Sequence, residues 1–211
     1  MMLTTIFAVA LSGQAAAADT DRFEISLGMG AQGSQDDNWS MVAYEDSLLS
    51  AGGRVSVRVR PRLAGVVDYQ LGRYGDDLWV DNQEFYDEAG LDVTLHQLSL
   101  GPKVLLMPQG MLRPYATTQV QGLLGRLRLI EDQDDMESQE RFTSATLGGI
   151  VALGTDFRPE KLPWLTTHLE AGYGRSFAMV FRDKEAGPTP ADIGDLSLGG
   201  FYLRLGAGVR F

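Results

Sequence analysis

Two histidines, His96 and His168, are the only side chains of the 211-residue chain that ordinarily titrate near neutrality, and cysteine is absent. Histidine beside a hydroxyl and a carboxylate is the arrangement of acyl-transfer chemistry, in which the ring takes the proton of the nucleophile. His96 stands in HQLS with Ser99, and His168 stands in HLE with Glu170. Side chains on a strand alternate between its faces, so the three-residue spacing sends His96 and Ser99 to opposite sides. His168 and Glu170 share a face, and no serine stands two residues from His168 on it. They read as an interior hydrogen-bonded pair, and no catalytic residue is assigned. Acidic clusters such as Asp132, Asp134 and Asp135 offer hard oxygen ligands for Ca²⁺ or Mg²⁺. They lack a D-x-D-x-D-G loop with a closing glutamate and read as a solvated anionic surface. Neither a metal nor a cofactor is expected, and without cysteine there is no thiolate site or disulfide. A net charge of −10 speaks against nucleic acid as a partner.

A second set of charges, Glu24, Arg54, Arg58, Asp68, Arg126, Glu170 and Arg204, lies within segments of strict apolar and polar alternation. Phe23, Ile25, Leu27 and Met29 alternate with Glu24, Ser26, Gly28 and Gly30. Val55, Val57 and Val59 alternate with Arg54, Ser56 and Arg58; Val67, Tyr69 and Leu71 with Asp68, Gln70 and Gly72. A period of two predicts strands. Further strands are expected over residues 93–107, 114–129, 142–155, 165–180 and 196–211, eight in all. The fifth changes phase, because Leu124 belongs to one face and Leu127 and Leu129 to the other, so a bulge is expected near Gly125. Short connections built on Pro61, on PQGMLRP at 108–114 and on RPEKLP at 158–163 alternate with long acidic segments, and those long segments hold most of the 28 acidic residues.

The last strand, LSLGGFYLRLGAGVRF, places Phe201, Leu203, Leu205, Ala207, Val209 and Phe211 on one face and Tyr202, Arg204, Gly206, Gly208 and Arg210 on the other. An apolar outer face with a polar inner face is the pattern of a transmembrane barrel. This strand resembles the closing strand of small bacterial outer-membrane β-barrel proteins of the eight-stranded OmpA-like or OmpW-like, porin-family type. The resemblance implies an all-β, eight-stranded antiparallel transmembrane barrel with long external loops and short periplasmic turns, located in the bacterial outer membrane. It further implies that Phe201, Leu203, Leu205, Val209 and Phe211 form an assembly signal read by the barrel-assembly machinery. Outer-membrane lipid and lipopolysaccharide would be its surroundings, and a monomer its state. Barrel enzymes that trim lipid A use histidine and serine two apart on one strand face, a pattern neither histidine here meets.

Residues 1–18, with an apolar run at 3–11 and an A-x-A site at Ala16 and Ala18, read as a signal peptide, leaving 19–211 as the barrel domain. No apolar run reaches the ~18–20 residues of a transmembrane helix. In an eight-stranded barrel, side chains fill the interior, and charges there must be paired. The seven charges are therefore expected to form a structural salt-bridge network in the lumen. Aromatic residues, among them Phe23, Tyr115, Phe157, Trp164 and Phe211 toward the turns and Tyr74, Trp79, Phe142, Phe177 and Phe201 toward the loops, are expected to form two interfacial belts. The function expected is a non-enzymatic barrel presenting acidic external loops for envelope structure, adhesion or surface interaction. A small pore or lateral path for hydrophobic solutes is the alternative, and a lipid A-modifying enzyme the third reading.

Overall fold

The computed structural model describes residues 22–33, 47–82, 85–133, 136–182 and 192–211. The expected signal peptide and most of the expected first long loop lie outside them. Ten strands follow in order: β1 Phe23–Gly33, β2 Ser47–Arg60, β3 Leu63–Asn82, β4 Phe85–Leu105, β5 Leu112–Gln133, β6 Met136–Phe157, β7 Leu165–Ser176, β8 Met179–Arg182, β9 Asp192–Leu196 and β10 Gly199–Arg210. Eight of them close an antiparallel barrel in the order β1-β10-β7-β6-β5-β4-β3-β2, while β8 and β9 form a separate two-stranded sheet. The seam joins the first and last strands from Glu24↔Arg210 to Gln32↔Tyr202. Closure leaves the strands with no free edge along the seam, which satisfies backbone groups that water would otherwise have to meet.

The alternation sorts the walls. Ile25, Leu27, Met29, Val55, Val67, Leu98, Leu100, Val120, Val151, Leu169, Leu203 and Leu205 are all exposed on the outer face, with Leu27 at 72%. Between them, Ser26, Arg54, Asp68, Ser99, Gln119, Gln121, Glu170 and Arg204 are buried inside. A continuous outward apolar belt over a polar interior is the inverse of a water-soluble barrel. Tight connections occupy one end. Pro61 and Arg62 link β2 to β3, with a bulge between Arg58 and Arg60, and Gly110 takes φ 93° in the β4–β5 turn, a backbone conformation that glycine adopts without steric cost.

Three expectations are corrected. The segments expected as long second and third loops are largely strand. β3 pairs with β4 out to Asn82↔Phe85, and β5 with β6 out to Gln133↔Met136. Their neighbours stop earlier, since β2 pairs with β3 only as far as Ser50↔Gly72 and β7 with β6 only as far as Gly148↔Ser176. A four-stranded extension thus continues the barrel wall on the loop side. Secondly, the expected bulge near Gly125 is absent: β5 keeps one register with β4 through Gly122↔Leu98, Gly125↔Leu95 and Leu127↔Val93. Leu123 and Leu127 face inward because the lumen itself turns apolar at that height. Thirdly, the strand expected over 165–180 ends at Ser176, and β8 begins a hairpin that belongs to the interior.

Candidate functional site

The interior is stratified from the turn end to the loop end. At the turn-side mouth Arg22, Glu24, Ser56, Arg58, Lys103, Asp156, Arg158 and Arg210 line a small polar recess. Arg158 approaches Glu24 at 3.7 Å, and Lys103 Nζ donates to both carboxylate oxygens of Asp156 at 2.8 Å while lying 4.0 Å from the centre of the Tyr115 ring. Arg158 lies in the β6–β7 turn. Burial first, then the nearby Arg113 and Arg210, lower its guanidinium to about 10.

Above this lies the main charge cluster. Arg54 on β2 forks onto Asp68 of β3 at 2.8 and 2.9 Å and onto Glu170 of β7 at 2.9 Å for both of its bonds there. Asp68 also accepts from Gln119 at 2.8 Å and from Arg204, and Glu170 accepts from Tyr115 at 2.8 Å and from Tyr202. Arg54, Asp68, Glu170 and Arg204 are each no more than 2% exposed. Buried charges are costly unless paired and hydrogen-bonded, and here strands from opposite walls pair all four charges, with Arg204 Nη2 the one buried nitrogen of the cluster that makes no hydrogen bond. Gln121 and Gln97, at 2.9 Å, and Ser50 and Gln70, at 2.8 Å, form a neutral layer above it.

The loop-side interior is apolar. Leu48, Val93, Leu95, Leu123, Leu127 and Phe142 project inward, and Met179, Phe181, Leu196 and Leu198 from the β8–β9 hairpin and its exit pack onto them. Met179 and Leu198 have no exposed surface. Gly125 makes room for the hairpin, since a Cβ there would lie 3.0 Å from Phe181 Cζ and 3.1 Å from Met179 Sδ. The hairpin is an internal plug.

Of the seven charges expected to share a lumen network, Arg54, Asp68, Glu170 and Arg204 meet in the central cluster. Glu24 and Arg58 lie lower, in the mouth. Arg126 does not belong: it is exposed on the outer face, because β5 without a bulge keeps even-numbered residues outside. Tyr115 and Phe142, expected in aromatic belts, are buried inside for the same reason of parity. Phe23, Trp164, Phe177, Phe201 and Phe211 do point outward, with Phe23 stacked on Phe211 at 6.1 Å. Tyr202 sits on the inward face of the last strand as its alternation requires and meets Glu170, whereas Tyr115, Gln119, Lys103 and Asp156 are partners that sequence reasoning does not single out. Their inward parity is readable, but pairing across the lumen is not.

His96 faces outward and shares a 2.8 Å hydrogen bond with Tyr69, whereas Ser99 is buried inside, so the two stand on opposite faces. His168 is inward and 2% exposed, but it makes no hydrogen bond to Glu170, whose oxygens are taken by Arg54 and the two tyrosines. Its ring instead covers Gly206, in register opposite it. Most loop carboxylates, including Asp132, Asp134 and Asp135, fall outside the residues whose side chains are described. Among the described residues no group of three or more His, Asp or Glu is placed to hold a metal.

No protein-family model and no curated protein matches the sequence. Solved structures do match. Ail, the attachment invasion locus protein of Yersinia pestis, in complex with the heparin analogue sucrose octasulfate, gives a TM-score of 0.53 at 15% identity, covering 90% of this chain and 99% of that one. A major outer membrane protein from Thermus thermophilus gives 0.53 at 12% identity, over 91% of this chain and all of that one. The outer membrane protein AlkL in lipid bilayers gives 0.50 at 15% identity, over 94% of each chain. At these identities the likeness is one of fold.

Proposed function

We propose that this chain, which has the fold of a bacterial outer-membrane β-barrel protein, is a non-enzymatic barrel that carries an acidic strand platform on the cell surface for envelope structure, adhesion or surface interaction. The filled lumen carries this reading. A buried charge cluster and an apolar hairpin plug are stacked along the axis, and such a barrel serves better as an anchor than as a conduit. A strand crosses the hydrocarbon core in about 9–11 residues, whereas β3, β4, β5 and β6 run 20, 21, 22 and 22. About half of each is left to project beyond the membrane. Acidic residues such as Asp76, Asp81, Asp87, Glu131 and Glu137 fall in that half. The apolar outward belt sits in lipid, and the outward side chains Phe201, Leu203, Leu205, Val209 and Phe211 suit recognition by the barrel-assembly machinery.

Shortening β3–β4 and β5–β6 to tight turns at residues 75–91 and 130–139 tests the reading. Cells carrying the shortened barrel at normal membrane levels are expected to lose attachment to other cells or to matrix. Unchanged attachment, or steady conductance of the intact protein in planar bilayers, overturns it.

The apolar loop-side interior favours a second reading, a path for hydrophobic solutes opened when the β8–β9 hairpin lifts. Uptake of a hydrophobic fluorophore into liposomes, faster with the protein than without it, would separate this reading from the first.

A further inference from the structure

On the outer wall, arginines from three strands stand together where the apolar belt ends. Two cross-strand rows run side by side on the loop side, Arg73↔Thr94↔Arg126↔Thr143 over β3 to β6 and Asp92↔Arg128↔Arg141 over β4 to β6. They share the parity of the exposed belt residues Leu71, Leu98, Val120 and Leu147, and Arg73, Arg126 and Arg141 are themselves exposed. The row before them, Leu71↔His96↔Leu124↔Ala145, is still mostly apolar. From Leu112, exposed at the start of β5, to Leu124 the wall already exceeds the about 9–11 residues a strand needs to cross hydrocarbon. The guanidiniums therefore begin at headgroup level. Phe177, 75% exposed, donates its N–H to the Leu147 carbonyl and adds an aromatic ring just below that margin.

Among the described residues, no hydrogen bond or ion pair joins any of these four arginines to another side chain, and Arg128 Nε is buried without a hydrogen-bond partner. Arg128 and Arg141 stand directly opposite each other in register. Like charges so placed destabilise a sheet, and an anion between them reverses the sign of the contact. Asp92 is the carboxylate within the two rows. The next acidic positions in register, Asp77 and then Glu88, Asp132 and Glu137, stand one and two steps of the two-residue repeat farther from the belt.

We propose that this patch, centred on Arg128 and Arg141 and flanked by Arg73 and Arg126, is a docking site for the phosphorylated headgroup of a glycolipid in the loop-side leaflet, the chemistry that lipopolysaccharide presents. Guanidinium groups fork onto phosphate oxygens, and Thr94 and Thr143 supply hydroxyls in the same row. The patch is continuous with the apolar belt, so acyl chains lie against Leu71, Leu98 and Leu124 while the phosphate meets the arginines. A free phosphate ion gains nothing from that continuity, which favours the lipid. The site requires the barrel in a bilayer and does not depend on what the acidic platform binds.

Thermal unfolding of the full barrel in phosphatidylcholine nanodiscs, followed by heat-modifiable gel mobility, tests the proposal. The discs are doped with lipid A, doped with lipid A stripped of its phosphates, or given inorganic phosphate at equal ionic strength. Phosphorylated lipid A is expected to raise the unfolding midpoint well above the other two. R128Q/R141Q is expected to bind it at least about tenfold more weakly, and R126Q, a single change on the exposed wall, to show the same effect in smaller measure. R60Q/R62Q, at the turn side, is expected to keep the full shift. Equal stabilisation by stripped lipid A or by inorganic phosphate overturns the proposal. So does a shift that R128Q/R141Q and R126Q retain in full, or one that R60Q/R62Q loses equally.

Discussion

Arg54 on β2 and Glu170 on β7 are joined by two 2.9 Å hydrogen bonds across the barrel interior, although 116 residues separate them in sequence. Their strands are not neighbours in the sheet; β1 and β10 stand between them. The pair is a strap across the lumen rather than a cross-strand contact.

Replacing Arg54 with Met leaves buried Glu170 without its cationic partner and Asp68 with Arg204 alone. Breaking a buried ion pair from one side costs about 3–5 kcal/mol, so the urea midpoint of the folded form in vesicles is expected to fall. Arg54→Lys should recover only part of it, because one ammonium cannot fork onto two carboxylates. Arg126→Ala, on the outer wall, is expected to leave the midpoint within about 0.5 kcal/mol. An Arg54→Met barrel as stable as the parent would show that the cluster contributes nothing net.

The hairpin plug makes a different prediction. Phe181 is 1% exposed among inward leucines. Truncating a buried phenylalanine costs about 3–5 kcal/mol where the site cannot collapse. Here the barrel wall is expected to survive and the plug to loosen. Met179→Ser with Phe181→Ser should keep the folded gel mobility while increasing binding of an environment-sensitive apolar dye. Unchanged dye binding would place the seal elsewhere.

At Gly206 a Cβ would collide with the His168 ring and lie 2.8 Å from the Leu27 carbonyl oxygen. Overpacking of this kind costs about 1–3 kcal/mol or more when backbone must move. Gly206→Val is expected to lower the folded yield on refolding into detergent. Adding His168→Ala relieves the ring contact and not the carbonyl one, so recovery should be partial. Full recovery would assign the whole effect to the ring.

Phe211 stacks on Phe23 at the seam and is otherwise exposed. An aromatic pair contributes about 0.5–1.5 kcal/mol beyond its area, so Phe211→Ser should barely change the unfolding midpoint of barrel already inserted. Its larger effect is expected on the rate of membrane assembly in cells. Normal assembly of the variant would remove the signal role proposed for the last strand.

What the residues determined on their own is the wall. A period of two decides which side chains share a face, because pleating offers only two directions. Glu24, Arg54, Arg58, Asp68, Glu170 and Arg204 could therefore be placed on one side, and Leu27, Val55, Leu98 and Leu203 on the other, with no knowledge of their partners. His96 and Ser99 were separable for the same reason.

Parity alone goes astray where both faces are apolar. In β5, Leu123 and Leu127 point in and Leu124 lies on the outward side, and no hydropathy pattern tells lipid from an apolar plug. The alternation there asks for a bulge, and the inferred change of phase carries Arg126 inward when it lies outside. Only the closed barrel, which brings β2 opposite β7 and folds β8–β9 into the lumen, decided that Arg54 meets Glu170 and that Phe181 sits over Gly125. Those contacts are set by curvature and closure, which depend on every strand at once. Local alternation is a property of each strand alone.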